Sequence, residues 1–184
     1  MTIDLPAALR QLKPERRRAP LTARAPHARL AVEGLPPGRQ MVVPDTCVYI
    51  DNAAGRLPAA AQAVVDRAVQ FHCAVCLGEI STGLGNADPA AARYRTTIAH
   101  YLNLIARMPA ARIIVPDDDS WVRAGLMAGT LARTQGYRPF QRKALLNDAL
   151  IYLAATRKGL PVLTQNHDFD LLWQLHPAGT VIFY

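Results

Sequence analysis

Apolar and polar positions divide this chain into two unlike parts. From residue 41 onward, short apolar runs alternate with longer segments whose apolar residues recur every three or four positions. "MVV" running into "TCVYI" (41–50) reads as a buried strand, and "PAAAQAVVDRAVQF" and "HCAVCLGEISTGL" read as helices. "DPAAARYRTTIAHYLNLIARM" predicts another helix, with Asp88 placed to cap it and Pro89 suited to its first turn. "ARIIVP" is a second strand. "DSWVRAGLMAGTLARTQG" and "KALLNDALIYLAATRKG" are helices closed by Gly136 and Gly159. "LPVLTQN" is a third strand, "DFDLLWQL" a short helix and "TVIFY" a last strand. Strands alternating with helices predict an α/β fold, a mostly parallel central sheet flanked by helices.

Residues 1–40 lack this order. Prolines at 6, 14, 20, 26, 36 and 37 forbid a long helix, and "PERRRAP" concentrates charge. "PAALRQL" is long enough for one or two helical turns. This Pro/Arg-rich N-terminal segment reads as an extended arm or loosely docked tail. It is either a solvated extension or an arm that touches RNA or a partner protein. The domain proper is expected over residues 41–184.

Composition narrows the class. With 184 residues, 51% of them hydrophobic, the chain can bury one real core. No apolar stretch approaches the ~18 residues of a membrane span. The first residues do not follow the charged-then-apolar pattern of a signal peptide, which points to the cytoplasm. A net charge of +7 favours polyanionic partners, nucleic acid first. Cys47, Cys73 and Cys76 form no even disulfide set, and Cys73-x-x-Cys76 has no second pair to complete a metal site. Among apolar neighbours, those two are expected as small buried side chains.

Four acids are held in defined places by apolar sequence: Asp45 in the first strand, Glu79 in "LGEISTG", Asp148 in "LLNDALIYL" and Asp168 after the third strand. In a parallel sheet, functional groups gather at the carboxyl ends of strands. Carboxylates brought together there repel one another and raise one another's pKa. A divalent cation relieves that repulsion, and oxygen ligands suit Mg2+ or Mn2+. Asp168 has a plainer alternative as a helix cap.

The ordered set "VVPDTCVYID", "GEISTG", "LLNDALIYLAATRKGLPVLTQNHDF" and "VIFY" resembles PIN-domain ribonucleases, particularly the VapC toxins of bacterial toxin–antitoxin pairs. The resemblance covers about residues 41–184. It implies a three-layer PIN-like fold, with Asp45, Glu79 and Asp148 as catalytic metal-binding acids. Asp168 takes the fourth acidic place, directly or through water, with Asn166 as a neutral neighbour. Thr46 and Thr164 would orient carboxylates, or are ordinary strand filling. The implied activity is metal-dependent hydrolysis of RNA. A small antitoxin protein and a homodimer are the implied partners.

Other signals carry plainer readings. In "VPDDDSW", Asp119 or Ser120 is expected to cap the next helix, and Asp51 to meet solvent. His72, His100 and His167 show no paired spacing, although His167 has a place beside the substrate next to Asp168. Arg142 and Lys143 are best placed, among the basic residues, for phosphate contact. One alternative is a PIN-like module that binds RNA or a partner without cutting. A phosphotransfer domain is disfavoured: Cys47 stands where a second aspartate would follow Asp45, and no lysine marks the last strands.

Overall fold

The computed structural model describes residues 3–184. Its centre is a five-stranded sheet in the order β1 (Leu30–Ala31), β7 (Val181–Phe183), β6 (Val162–Thr164), β2 (Met41–Pro44), β3 (Val69–Gln70). Every pairing is parallel, with Val43 opposite Val162 and Leu163 opposite Ile182. β4 (His72–Cys73), one residue beyond β3, pairs in parallel with β5 (Ile113–Ile114). The predicted α/β class and its mostly parallel sheet are thus borne out.

Alternation along the strands makes three layers, because successive side chains leave a strand on opposite faces. Val43, Val162, Val181 and Phe183 pack into one core beneath α4 (Ala74–Gly85), α6 (Asp118–Thr134), α7 (Pro139–Arg157) and α8 (Asp168–Leu175). Val42, Leu163 and Ile182 face the other core, closed by α2 (Thr46–Ala53) and α3 (Ala59–Arg67) through Val48, Ala61 and Val64. α7 has a long unbroken buried run: residues 148–155 are all buried. It ends at Gly159 (φ +65), where the Leu160 N–H returns to the Ala155 carbonyl.

Several element boundaries differ from the sequence reading. "TCVYI" is not strand but the first turns of α2. Asp45 stands between the two as the helix cap, its carboxylate accepting from the Thr46 N–H at 2.6 Å. A local capping bond outweighs the strand propensity of the apolar run. α5 (Tyr94–Ala106) begins six residues past Asp88, whose Oδ1 accepts from the Ala90 N–H in a turn. α6 is capped by Asp117 rather than Asp119 or Ser120, accepting from the Ser120 N–H at 2.9 Å.

Residues 3–40 lie along the domain surface as a strap. α1 (Leu5–Leu12) buries Ala8 and Leu12, the latter in the larger core. Arg133 of α6 donates to the Pro14 and Arg17 carbonyls. Arg24 pairs with the fully buried Asp170 at 2.7 Å and lies over the Trp173 ring at 3.7 Å. β1 then completes the sheet edge beside β7.

Candidate active site

The parallel sheet points the carboxyl ends of β2 and β6 to one edge, and the acids collect there. Asp45 follows β2 directly and is 3% exposed. Its Oδ1 accepts from the Thr46 N–H, and its Oδ2 from the Thr164 hydroxyl at 2.8 Å and the Cys47 thiol at 3.0 Å. Thr46 has a second role: its hydroxyl donates to Glu79 Oε2 at 2.5 Å, tying the cap of α2 to the middle of α4. The other Glu79 oxygen accepts from the Asn147 amide at 2.8 Å.

Asn166 ties the second half together. Its amide donates to Asp148 Oδ2 at 3.0 Å, and its Oδ1 accepts from the Asp168 N–H at 2.9 Å. Its own N–H reaches the Thr164 hydroxyl at 2.9 Å. A continuous chain of hydrogen bonds therefore runs from Glu79 through Thr46, Asp45, Thr164 and Asn166 to Asp148 and Asp168. Tyr137 closes it by donating to Asp168 Oδ1. Thr46 and Thr164 donate to the carboxylates of Glu79 and Asp45, and Asn166 to that of Asp148.

The charge in this network is not balanced by cations. Among the described residues, no Lys, Arg or His stands within ion-pair distance of these four acids. Burial pushes Asp148 well up from the usual carboxylate range. The charges of Asp45, Asp168 and Glu79 push it further, and the Asn166 bond offsets only part. Asp45 is likewise raised, first by burial, against the hydrogen bonds from Cys47, Thr164 and Thr46, with Glu79 adding repulsion. The Cys47 thiol is pushed up to about 12 by burial and by the Asp45 charge, so it stays protonated and remains a donor.

The donor set is hard oxygen throughout, which suits Mg2+ or Mn2+. Among the described residues, no three His, Cys, Asp or Glu side chains form a ready-made cation cage. Mg2+ does not require one, since it is commonly held by one or two carboxylates and keeps several waters. The residues present fit such an ion.

Arg142 and Lys143 are both exposed on α7. Lys143 lines a groove together with Glu79 and Asn147, whereas Arg142 is not part of that groove. Sequence reasoning missed Asn147, Cys47 and Tyr137 as partners of the acids. Asn147 directly precedes Asp148 and Cys47 lies two residues after Asp45, which was the only signal for these two. Asp51, expected in solvent, is 7% exposed and accepts from Gln165, Tyr184 and Arg56. Cys73 and Cys76 are free and fully buried, as expected. His72 is buried against the Tyr49 hydroxyl at 2.8 Å, and His167 meets Arg29 at 2.6 Å.

These features define a PIN-like α/β fold, and the resemblance read from the sequence is borne out at that level. Three solved complexes contain chains of the same fold. The chain in FitAcB from Neisseria gonorrhoeae is 18% identical with a TM-score of 0.54, over 78% of this chain and 97% of that one. The chain in VapBC-1 from nontypeable Haemophilus influenzae is 17% identical with a TM-score of 0.53, over 77% and 96%. The chain in VapBC2 from Rickettsia felis, bound to a promoter DNA fragment, is 14% identical with a TM-score of 0.50, over 79% and 99%. At these identities the likeness is one of fold. No family model and no curated protein matches the chain.

Proposed function

We propose that this chain is a metal-dependent endoribonuclease, the toxin of a type II toxin–antitoxin pair acting on RNA in the cytoplasm. The observation that carries the reading is the joining of Asp45, Glu79, Asp148 and, through its backbone N–H, Asp168 in one hydrogen-bonded network with which no Lys, Arg or His among the described residues forms an ion pair. A structural role alone gives no reason to bury such repulsion. Bound Mg2+ or Mn2+ would neutralise these carboxylates, polarise a phosphate and acidify a water for attack on the phosphodiester. One or two of Asp45, Glu79, Asp148 and Asp168 would hold the ion directly, and the others through its waters. Thr46, Thr164, Asn147 and Asn166 keep the carboxylates aimed. Lys143, beside Glu79, offers its charge to the RNA backbone, and the net charge of +7 draws the polyanion in. Cleavage of this kind leaves a 5′-phosphate and a 3′-hydroxyl.

A small antitoxin is the proposed protein partner, in keeping with the fold's occurrence in VapBC and FitAcB complexes. A second copy of the chain is the other. Half-exposed Ile50 of α2 borders a groove of about 500 Å³ shared with α5, a surface a homodimer would cover.

The test is RNA cleavage with manganese or magnesium by the parent, Asp45→Asn and Asp148→Asn. Each variant should lose about a hundredfold or more in rate while keeping the parent's circular dichroism spectrum. Unchanged cutting by both would overturn the mechanism. The alternative, a PIN-like module that binds RNA or a partner without cutting, draws on the lack of a ready-made three-ligand cage among the described residues. It requires a parent protein that binds RNA but leaves it intact at any metal concentration.

A further inference from the structure

We infer that the indole of Trp121 is a stacking platform for an unpaired nucleobase of the RNA strand held at the acid site; this rests on the nuclease reading above. Trp121 begins the stripe of α6 that continues buried through Ala124, Ala128 and Leu131, yet it is itself 52% exposed. Beside it Val115 is 69% exposed. A large aromatic left in water at the head of a buried stripe marks a surface made for a partner.

The place of that surface decides which partner. Trp121, Val115 and Pro116 line a groove of about 340 Å³ together with Glu79, Asn147 and Lys143. Asn147 donates to Glu79, and Glu79 is bonded through Thr46 to the acid network, so the groove borders the candidate active site at Glu79. Lys143 lies one helical turn before Asn147 on α7 and, among the described residues, pairs with no carboxylate. A flat ring and a free ammonium in one groove, with the acid site at its Glu79 edge, match the three parts of a nucleotide: base, backbone charge and scissile bond. Aromatic stacking tolerates any base and needs it unpaired, which selects single-stranded RNA over duplex. An apolar peptide would use the ring but leave the ammonium unanswered.

The floor of the groove provides an independent variant. A Cβ added at Gly78, which lines the groove, meets nothing within 4 Å, so leucine is the substitution chosen to occupy it. Binding of a short single-stranded oligoribonucleotide is measured by anisotropy with magnesium, all variants carrying Asp45→Asn to prevent cutting. Trp121→Ala and Gly78→Leu should each weaken binding about tenfold or more, and Trp121→Phe by less. Scanning abasic sites through the oligonucleotide should find one position that weakens binding to the Trp121 protein but not to Trp121→Ala. Unchanged affinity in both Trp121→Ala and Gly78→Leu overturns the assignment. So does a Trp121→Ala protein that keeps RNA affinity but loses a co-expressed antitoxin, which gives the groove to a peptide. Cleavage by the Asp45 parent, run in parallel, separates the two readings. A parent that cuts RNA while Trp121→Ala binds normally sinks only the stacking platform, whereas a parent that neither cuts nor binds RNA sinks both.

Discussion

Gly179 occupies a point where no larger residue fits. A Cβ there would lie 2.2 Å from Thr156 Oγ1 and 2.9 Å from the ring of fully buried Tyr152. Neither neighbour is free to yield. Thr156 donates to the Tyr152 carbonyl at 2.8 Å, and Tyr152 donates to the His176 carbonyl at 2.5 Å while accepting from the Gly179 N–H at 3.1 Å. Gly179→Ala should therefore destabilise the fold by about 1–3 kcal/mol, read as a lower urea midpoint with an unchanged slope. An unchanged midpoint would mean that the contact relaxes freely. At this scale the sequence is informative where one side chain carries its own reason, as Asp148 does among Leu145, Leu146, Ala149 and Leu150. It is silent where the reason is a distant partner. Asn147 matters through Glu79, and Asp51 is buried through Gln165 and Tyr184, far off along the chain.

The strap is where sequence patterning had least to work with. Prolines correctly forbade a long helix in residues 1–40, but periodicity cannot register a two-residue strand such as β1 or an arginine whose partner lies 146 residues away. The Arg24–Asp170 pair is the anchor. Burial pushes Asp170 up, but the Arg24 N–H, the Arg24 guanidinium and Gln174 together outweigh it, and its folded pKa falls below the ordinary 3.8. The sign follows: the unfolded chain binds the proton more readily, so the pair's stabilisation is fully present above pH 3.8 and is lost as pH drops through the lower folded value. Arg24→Ala removes the only cation paired with Asp170 among the described residues, leaving the residue-24 N–H and Gln174, and should cost about 2–3 kcal/mol at neutral pH. The variant should also show a shallower loss of stability below pH 4 than the parent, since that acid limb is partly Asp170. Parallel melting curves from pH 7 down to pH 2.5 check both. Equal acid limbs would show that the strap is held by α1 and β1 instead.

The whole molecule sets packing against charge. Two cores enclose the sheet on both faces, and the same sheet aligns β2 and β6 so that buried Asp45 and half-buried Asp168 follow their ends, while α7 adds buried Asp148. Without a cation, the fold bears the cost of holding Asp148 in the field of Asp45, Asp168 and Glu79. An ion that binds only the folded state returns that cost and more, by about 2.7 kcal/mol at a hundred times its dissociation constant. Replacing Asp148 with asparagine removes a buried carboxyl that its acidic neighbours repel, while keeping nearly the same shape. Metal-free Asp148→Asn should then melt above the metal-free parent, and manganese should raise the parent's melting temperature but leave the variant's almost unmoved. A variant that melts lower without metal, yet gains as much from manganese as the parent does, would place the ion elsewhere and make Asp148 a structural residue. The comparison is decisive because repulsion and ligation predict opposite signs for one substitution: relief when the ion is absent, loss when it is present.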